Sequence, residues 1–361
     1  MKQKVYQFSA GPSALHPSVL TDTAHAAVDY QTSGLSIMEM SHRSTQVEIL
    51  FQETTELAKG LLDVPDSYHI LWLQGGATLQ FAMVPMNFMK EGQVADFADT
   101  GAWSYKAILE AQKFGNVNVV CSSRDSTYHF IPKTSNQNDE SKYFHITSNN
   151  TIYGTQYKVF PEVNNPNGFL VSDMSSDIFS RKIDVSKFGL IYAGAQKNMG
   201  PAGVTMVIIR DDILDRINQT IPTYLDYRTH IEKKSLFNTP PVLAVYAVNR
   251  TLEWLNGLGG VEAIESINEK KAGLLYSEIE RNTLFTSPIT EEDRSMMNIP
   301  FVFTEDRNEA DFLSFCENRG LMTLKGHRSV GGFRASIYNA MPIEGVEALV
   351  SAMKEYESIN G

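Results

Sequence analysis

Short apolar segments alternate with helical patterns through the middle of this chain, and this alternation narrowly limits the possible folds. Near-continuous apolar character predicts strands at 69–73, 93–98, 117–121, 143–146, 168–171, 188–192 and 204–209. Helical patterns at 77–84 and 103–113 separate the first three of them. Buried strands that are separated by helices form a parallel or mixed sheet covered on both faces. The pattern therefore predicts an α/β fold.

The pattern changes after Pro240 and Pro241. Two long helices are predicted at 242–255 and 261–280, then strands at 299–303, 321–324 and 333–338, with helices ending at Glu317 and starting near Pro342. A chain of 361 residues is long enough for about two domains. We therefore predict a large domain of residues 16–260 and a smaller α+β domain of residues 1–15 and 261–361.

Composition excludes several classes of protein. The chain has 31 basic and 42 acidic side chains, a formal charge of −11, which disfavours binding to nucleic acid. No apolar run is long enough to span a membrane, and no apolar leader segment precedes the first strands. Cys121 and Cys316 make no disulfide framework. We expect a cytoplasmic protein.

Several common catalytic signatures do not occur in the sequence. GxGxxG, GxxxxGK[ST], GxSxG, HExxH and CxxC are all absent, and the eight histidines are scattered. The sequence therefore gives no support to a dinucleotide site, a P-loop, a serine hydrolase or a metal site.

Lys197 lies between two apolar strands in the small-residue run AGAQKNMGP, with no acid nearby in sequence. Desolvation lowers the pKa of a lysine and frees its amine as a nucleophile. Asp173 ends the preceding predicted strand. Taken singly, each has an ordinary explanation as a surface lysine or a turn aspartate. Together they suit pyridoxal phosphate, which needs a lysine to hold it covalently and a carboxylate to keep its pyridine nitrogen protonated.

Two further features lie where strands end. Gly75 and Gly76 follow one strand and open a helix, so backbone N–H groups there would face a phosphate, and Thr78 adds a hydroxyl. Trp103 follows the next strand and offers a flat surface for a cofactor ring. An ordinary glycine turn and a core tryptophan are the alternatives. Ligands of open α/β sheets bind at the carboxyl ends of strands, where all four features fall.

Cationic side chains form two His-Arg pairs, at 42–43 and 327–328, and Arg334 lies within the apolar run 331–337. Any single arginine has solvated surface charge as its alternative. Arginine suits bidentate contacts with carboxylate or phosphate. A substrate with an α-carboxylate and a second, strongly anionic end would use all five side chains.

Five segments resemble the phosphoserine aminotransferase family, and the resemblance covers almost the whole chain. They are FSAGP at 8–12, MSHR at 40–43, LQGGA at 73–77, AQKN at 195–198 and HRSVGGFRASIYN at 327–339. The resemblance implies the aspartate-aminotransferase-like fold, fold type I, with a mostly parallel mixed sheet. It also implies pyridoxal 5'-phosphate as cofactor and a homodimer with shared active sites.

The resemblance also implies roles for individual residues. Lys197 holds the cofactor and Asp173 pairs with its ring nitrogen, as the two catalytic residues. The other implied cofactor contacts are Ala77, Thr78, Trp103, Thr151, Gln196 and, reaching the other subunit's cofactor, Asn238 and Thr239. The implied substrate pocket comprises Ser9, His42, Arg43, His327, Arg328 and Arg334. The implied reaction moves an amino group from glutamate to 3-phosphohydroxypyruvate, giving phosphoserine and 2-oxoglutarate.

One departure and two alternatives accompany this resemblance. Some members carry an arginine where this chain has Thr78, so the cofactor phosphate would depend more on backbone and hydroxyl donors. One alternative is another pyridoxal-phosphate activity, such as a small-amino-acid transaminase or a desulfurase with Cys121 or Cys316 as nucleophile. The other is a catalytically silent cofactor-binding protein.

Overall fold

The computed structural model describes residues 4–218 and 220–361. In chain order its strands are β1 (Tyr6–Gln7), β2 (Tyr68–Leu73), β3 (Val94–Asp99), β4 (Asn116–Ser122), β5 (Phe144–Thr147), β6 (Leu170–Asp173), β7 (Phe188–Gly194), β8 (Thr205–Arg210), β9 (Phe285–Thr286), β10 (Asn298–Phe303), β11 (Leu321–Met322) and β12 (Phe333–Ser336). Its α-helices are α1 (Pro17–Val28), α2 (Thr45–Leu62), α3 (Gly76–Phe88), α4 (Ala102–Ala111), α5 (Tyr227–Glu232), α6 (Val242–Gly257), α7 (Gly260–Arg281), α8 (Glu309–Glu317) and α9 (Ile343–Asn360).

A seven-stranded sheet forms the centre of the molecule, in the order β2-β8-β7-β6-β5-β3-β4. Strand β8 runs antiparallel to both neighbours, and the remaining pairs are parallel. Every residue of β5, β6 and β7 is buried, since apolar clusters cover the sheet on both faces. The mixed, mostly parallel α/β sheet predicted from the sequence is confirmed.

A smaller α+β unit is built around a three-stranded antiparallel sheet, β12-β10-β9. Its core contains Phe285, Phe301, Phe312 and Phe333, whose rings pack edge-on or tilted. Strand β1 pairs with β11, so the N-terminal segment belongs to this side of the molecule. Helix α7 contributes to two cores, with Ile264 in the large one and Leu275 in the small one, so the predicted division at residues 260 and 261 stays a prediction.

Some elements differ from their sequence prediction. The strand predicted at 321–324 is limited to Leu321–Met322, because it pairs only with the two-residue β1. Strand β12 ends at Ser336 rather than at 338. Helices α1 and α2 were not predicted, although both pack on α6. Within the described ranges, no helix is long and apolar enough to cross a membrane.

Candidate active site

The central sheet brings Asp173 and Lys197 to the same edge. Asp173 ends β6 and pairs with Tyr192 of the parallel neighbour β7, which ends at Gly194. Lys197 follows in a turn, and its Nζ donates to the Thr151 hydroxyl at 2.7 Å. Thr151 lies just beyond β5, the other neighbour of β6. Three adjacent strands therefore place these side chains together.

Burial changes the acidity of Lys197. Desolvation lowers its pKa from 10.5 to about 8, the nearby charge of Asp173 opposes this shift, and the charge of Arg334 adds to it. The residue keeps partial solvent access. The lowered pKa that the sequence predicted is confirmed.

Asp173 is oriented by Ser175. Its Oδ1 accepts bonds from the Ser175 backbone N–H, at 2.9 Å, and from the Ser175 hydroxyl, at 2.6 Å. No group in the described chain donates to Oδ2. Burial raises the pKa of Asp173, whereas the charge of Lys197 and the Ser175 bonds lower it. The carboxylate therefore keeps one oxygen available for a cationic N–H, as a protonated pyridine nitrogen requires.

The N-terminal segment crosses the Lys197 turn. Ser13 donates from its hydroxyl to the Lys197 carbonyl and from its backbone N–H to the Gln196 carbonyl, the latter at 2.9 Å. Ser9 lies four residues earlier, and its hydroxyl accepts from the Gly11 N–H at 3.3 Å. The sequence did not single out Ser13, which directly follows the FSAGP segment.

The glycine turn after β2 forms an open helix N-terminus. Gly75 and Gly76 have φ values of 90° and 66°, which favour glycine, and α3 starts directly there. Within the described residues, nothing accepts from the N–H groups of Ala77 or Thr78. The Thr78 side chain is exposed. These donors fit a phosphate group.

Trp103 lies at the start of α4, near Lys197. The Lys197 amine is 5.9 Å from the centroid of its ring, and the Lys106 amine is 4.3 Å from it. The indole Nε1 is buried and has no acceptor among the described residues. A Cβ at Gly101 would lie only 2.3 Å from Asn150 Oδ1, so this turn requires glycine for close approach. The aromatic surface predicted for a cofactor ring is therefore present.

The arginines fall into two groups, those that form an ion pair with an acid and those that do not. Ten of the thirteen arginines form an ion pair with an acid. Arg43, Arg328 and Arg334 are the three that pair with no acid in the described chain. They are also the three arginines predicted to bind substrate. Three unpaired guanidinium groups in an acidic protein indicate sites for an anionic ligand.

Arg334 is the unpaired arginine nearest to the catalytic lysine. Its Nη1 donates to the Thr151 carbonyl at 3.3 Å, and its buried Nε has no partner among the described residues. His327 and Arg328 lie on the connection between β11 and β12. Burial first, and then the charges of Arg334, Arg328 and Lys106, lower the pKa of His327. The charges of Arg334, Arg328 and Lys106 therefore all act on His327.

Four predicted site residues remain, namely His42, Arg43, Asn238 and Thr239. His42 and Arg43 line a cavity of about 630 Å³ with α2, β2 and residues 231–236, and no other predicted site residue lines it. Asn238 and Thr239 follow that segment, and the Thr239 carbonyl accepts from Gln74 at 3.2 Å. Within the described residues, no hydrogen bond joins any of these four residues to Lys197.

Comparisons with known proteins agree with this geometry. Residues 5–349 match the class-V aminotransferase family. The chain is 50% identical to a phosphoserine aminotransferase of Azobacteroides pseudotrichonymphae over 99% of both chains, and 51% identical to that of Geobacillus kaustophilus over 98% of both. This chain belongs to the phosphoserine aminotransferase family.

Solved structures support the same assignment. The phosphoserine aminotransferase of Bacillus circulans subsp. alkalophilus superposes with a TM-score of 0.95 at 45% identity, over 99% of both chains. A pyridoxal-phosphate-bound enzyme from Trichomonas vaginalis superposes with a TM-score of 0.92 at 40% identity, over 97% of this chain and all of that one. The chain is therefore a pyridoxal-phosphate-dependent aminotransferase of fold type I.

Burial raises the pKa of Cys121 to about 11 and of Cys316 to about 12, which disfavours a cysteine nucleophile.

Proposed function

We propose that this protein catalyses reversible amino transfer from L-glutamate to 3-phosphohydroxypyruvate, giving O-phospho-L-serine and 2-oxoglutarate, in serine biosynthesis. The observation that carries this proposal is the set of three arginines without acidic partners, in a chain whose relatives are named for this activity. One anionic group would need one arginine. A substrate with both a carboxylate and a phosphate explains more than one.

The residues of the site fit pyridoxal phosphate, which when bound supplies an electrophilic carbon and an electron-accepting ring. Lys197 provides the amine that holds it and, once released, moves a proton at the substrate Cα as general base and acid. Asp173 would pair with the ring nitrogen through Oδ2, since Oδ1 is already engaged by Ser175.

The other proposed cofactor contacts are inferred from where the residues lie in the structure. The N–H groups of Ala77 and Thr78 and the Thr78 hydroxyl would hold the phosphate, and Trp103 would offer its ring as a stacking surface. Thr151, whose hydroxyl accepts from the Lys197 amine at 2.7 Å, would bond near the ring hydroxyl. Gln196 contacts the cofactor from the turn that carries Lys197.

The two ends of the substrate are assigned to different residues. Arg334 binds the α-carboxylate common to all amino-acid substrates, since it contacts Thr151 beside the reactive amine. His327 and Arg328 bind the phosphate from the more exposed connection before β12, and Ser9 borders the pocket from the N-terminal segment.

The active enzyme is a homodimer with shared active sites in this proposal. His42, Arg43, Asn238 and Thr239 present polar groups on one surface away from Lys197, and Arg43 has no ion pair among described residues. They would complete the partner subunit's site, with Asn238 and Thr239 at the cofactor phosphate and His42 and Arg43 at the substrate. The free thiols of Cys121 and Cys316 support a reducing, cytoplasmic location.

A direct assay tests the proposed reaction. Purified holoenzyme should transfer the amino group of glutamate to 3-phosphohydroxypyruvate, and its cofactor absorbance should change when glutamate or phosphoserine is added. Serine should be a poor substrate because it leaves the phosphate-binding cations unpaired. Equal kcat/KM for serine and phosphoserine would refute phosphate recognition. A cofactor spectrum unchanged by any amino acid would instead identify a silent cofactor-binding protein.

A further inference from the structure

Lys106 is an unpaired cation next to the proposed site. It lies one helical turn after Trp103 on α4, and its amine is 4.3 Å from the centroid of the indole ring. The side chain is exposed and forms no ion pair within the described residues. By contrast, Lys113, just past the same helix, pairs with Glu110 at 2.8 Å.

Trp103 and the phosphate-binding connection share one supporting cluster. Trp103 and Val330 both pack against Tyr128, Ile152 and Tyr153. Val330 lies three residues after His327 on the connection that carries Arg328. Because Lys106 lies over Trp103, this shared cluster links Lys106 to the connection that carries His327 and Arg328. Its charge acts on the His327 ring, whose pKa burial and the arginines also lower.

We propose that Lys106 is a specificity-determining residue that adds a cation from the same chain beside His327 and Arg328 at the substrate phosphate. The inference rests on the proposed function. A phosphate monoester carries between one and two negative charges near neutral pH, so it gains from several cations at once. A lysine ammonium on a flexible stem can approach from the solvent side, where a planar guanidinium would need fixed geometry.

A purely structural role for Lys106 makes a different prediction. If its stem only packs on Trp103, the methylene groups would matter and the charge would not. Lys106→Met keeps an unbranched apolar stem over the indole and removes the charge, whereas Lys106→Arg keeps the charge. Lys113→Met is the matched control, because it removes one positive charge from the neighbouring part of the same segment.

The test measures kcat and KM of the holoenzymes for phosphoserine and for glutamate. Lys106→Met should raise KM for phosphoserine about fivefold, a modest factor because exposed charges contribute less than buried ones. KM for glutamate should stay unchanged. Lys106→Arg should restore most of the affinity, and Lys113→Met should behave as the parent. Equal loss for both substrates would show that Lys106 supports Trp103 and would overturn the proposal, as would no change at all.

Two further measurements test the charge of Lys106, and the first of them needs no turnover. Calorimetric titration of the holoenzyme with inorganic phosphate should show weaker binding for Lys106→Met than for the parent and the control. The pH at which phosphoserine KM begins to rise should move upward in Lys106→Met, because losing this cation lets His327 stay protonated to higher pH. If the parent uses serine as well as phosphoserine, the proposed function fails, and the phosphate titration still decides whether Lys106 belongs to an anion site.

Discussion

At the scale of single residues, Lys197 combines a desolvated amine with a carboxylate on the neighbouring strand. Burial lowers its pKa to about 8, two to three units below an ordinary lysine. The amine is therefore neutral in a much larger fraction of molecules near physiological pH. Asp173 limits this effect through its charge, and its Oδ2 has no donor among the described residues.

Replacing Lys197 by alanine should abolish turnover while leaving part of the cofactor affinity. The phosphate donors after β2 and the Trp103 ring are unaffected, but the amine that reacts and moves the proton is gone. Activity assays, with cofactor content measured after dialysis and after borohydride reduction, should show bound but not covalently trapped cofactor. Lys187→Ala, an exposed lysine, serves as control. Near-normal turnover in Lys197→Ala would contradict the mechanism.

The pH dependence of cofactor attachment follows from the lowered pKa. Covalent attachment requires the neutral amine, so its rate in the apoenzyme should rise with pH and level off above about 8. An ordinary lysine would show a rise that continues to about 10.5. Stopped-flow absorbance after mixing apoenzyme with pyridoxal phosphate measures this. A rise that continues past pH 10 would show that the amine is not desolvated.

Substitutions of Arg328 and of Arg334 should affect the two substrates differently. Charge-assisted hydrogen bonds contribute about 1.5–3 kcal/mol each, so losing one should lower kcat/KM by roughly one to two powers of ten. Arg334→Ala should weaken phosphoserine and glutamate alike, because both carry the α-carboxylate. Arg328→Ala should weaken phosphoserine far more than glutamate. Arg319→Ala, whose guanidinium pairs with Glu355 at 2.6 Å, is the control. An identical pattern for both variants would refute the assignment of the two ends.

The sequence predicted site residues whose residue type is unusual for the end of a strand. Lys197, Asp173, Trp103 and the glycine turn follow strands whose apolar patterns are clear, so topology alone brings them together. Ser13 could not be found this way, because it reaches Lys197 across 184 residues and serine is common in turns. The separate location of His42 and Arg43 also depends on packing, to which their spacing gives no guide.

At the scale of elements, the connection between β11 and β12 depends on a contact with α8. Gly331 and Gly332 both have positive φ, which lets the chain fold back tightly. Glu309, the first residue of α8, accepts the Gly332 N–H at 2.7 Å. The connection that carries His327 and Arg328 is therefore fixed at one end by a side chain outside the active site.

Glu309→Ala should loosen this connection and raise KM for phosphoserine severalfold, with a smaller effect on glutamate. Loss of one charged hydrogen bond frees the segment without removing any group that touches substrate. Glu309→Gln should retain most of the affinity, because its amide oxygen still accepts. Glu305→Ala, an exposed acid nearby, is the control. Steady-state kinetics for both substrates measure the effect, and parallel losses in Gln and Ala variants would exclude the hydrogen bond as the cause.

The sequence predicted the fully buried strands, whereas it missed two helices that are buried on one side only. Strands β5 to β7 are buried at every position, which leaves an uninterrupted apolar pattern. Helices α1 and α2 bury only one side, and several of their large apolar residues, such as Leu20 and Ile49, are exposed. Their pattern is accordingly less regular than a single apolar stripe.

At the scale of the whole molecule, one chain contains the cofactor site without all of the proposed substrate groups. Arg43 faces a cavity formed by α2, β2 and residues 231–236, and it has no acidic partner within the described ranges. An unpaired guanidinium close to the chain that leads to Asn238 and Thr239 is explained if a second subunit covers this surface. The proposed dimer would then unite Arg43 with the partner's Lys197 cavity.

Hybrid dimers test this arrangement directly. Lys197→Ala and Arg43→Ala homodimers should each have little phosphoserine activity, the first without the reactive amine and the second without a phosphate contact. If Arg43 serves the partner's site, a hybrid of the two has one site with both defects and one site with neither. Mixing the variants under conditions that exchange subunits, and isolating the hybrid with two affinity tags, should then restore about half of the parent activity per dimer.

The alternative geometry gives the opposite result. If Arg43 serves the site of its own subunit, every site in the hybrid lacks either the amine or the arginine, and activity stays at the mean of the two homodimers. A hybrid of Lys197→Ala with Arg334→Ala is the internal control, because Arg334 contacts Thr151 beside its own chain's Lys197 and no intact site can form. Recovery with Arg43→Ala but not with Arg334→Ala would establish that substrate recognition is divided between two subunits, whereas recovery with neither would require a single-chain site.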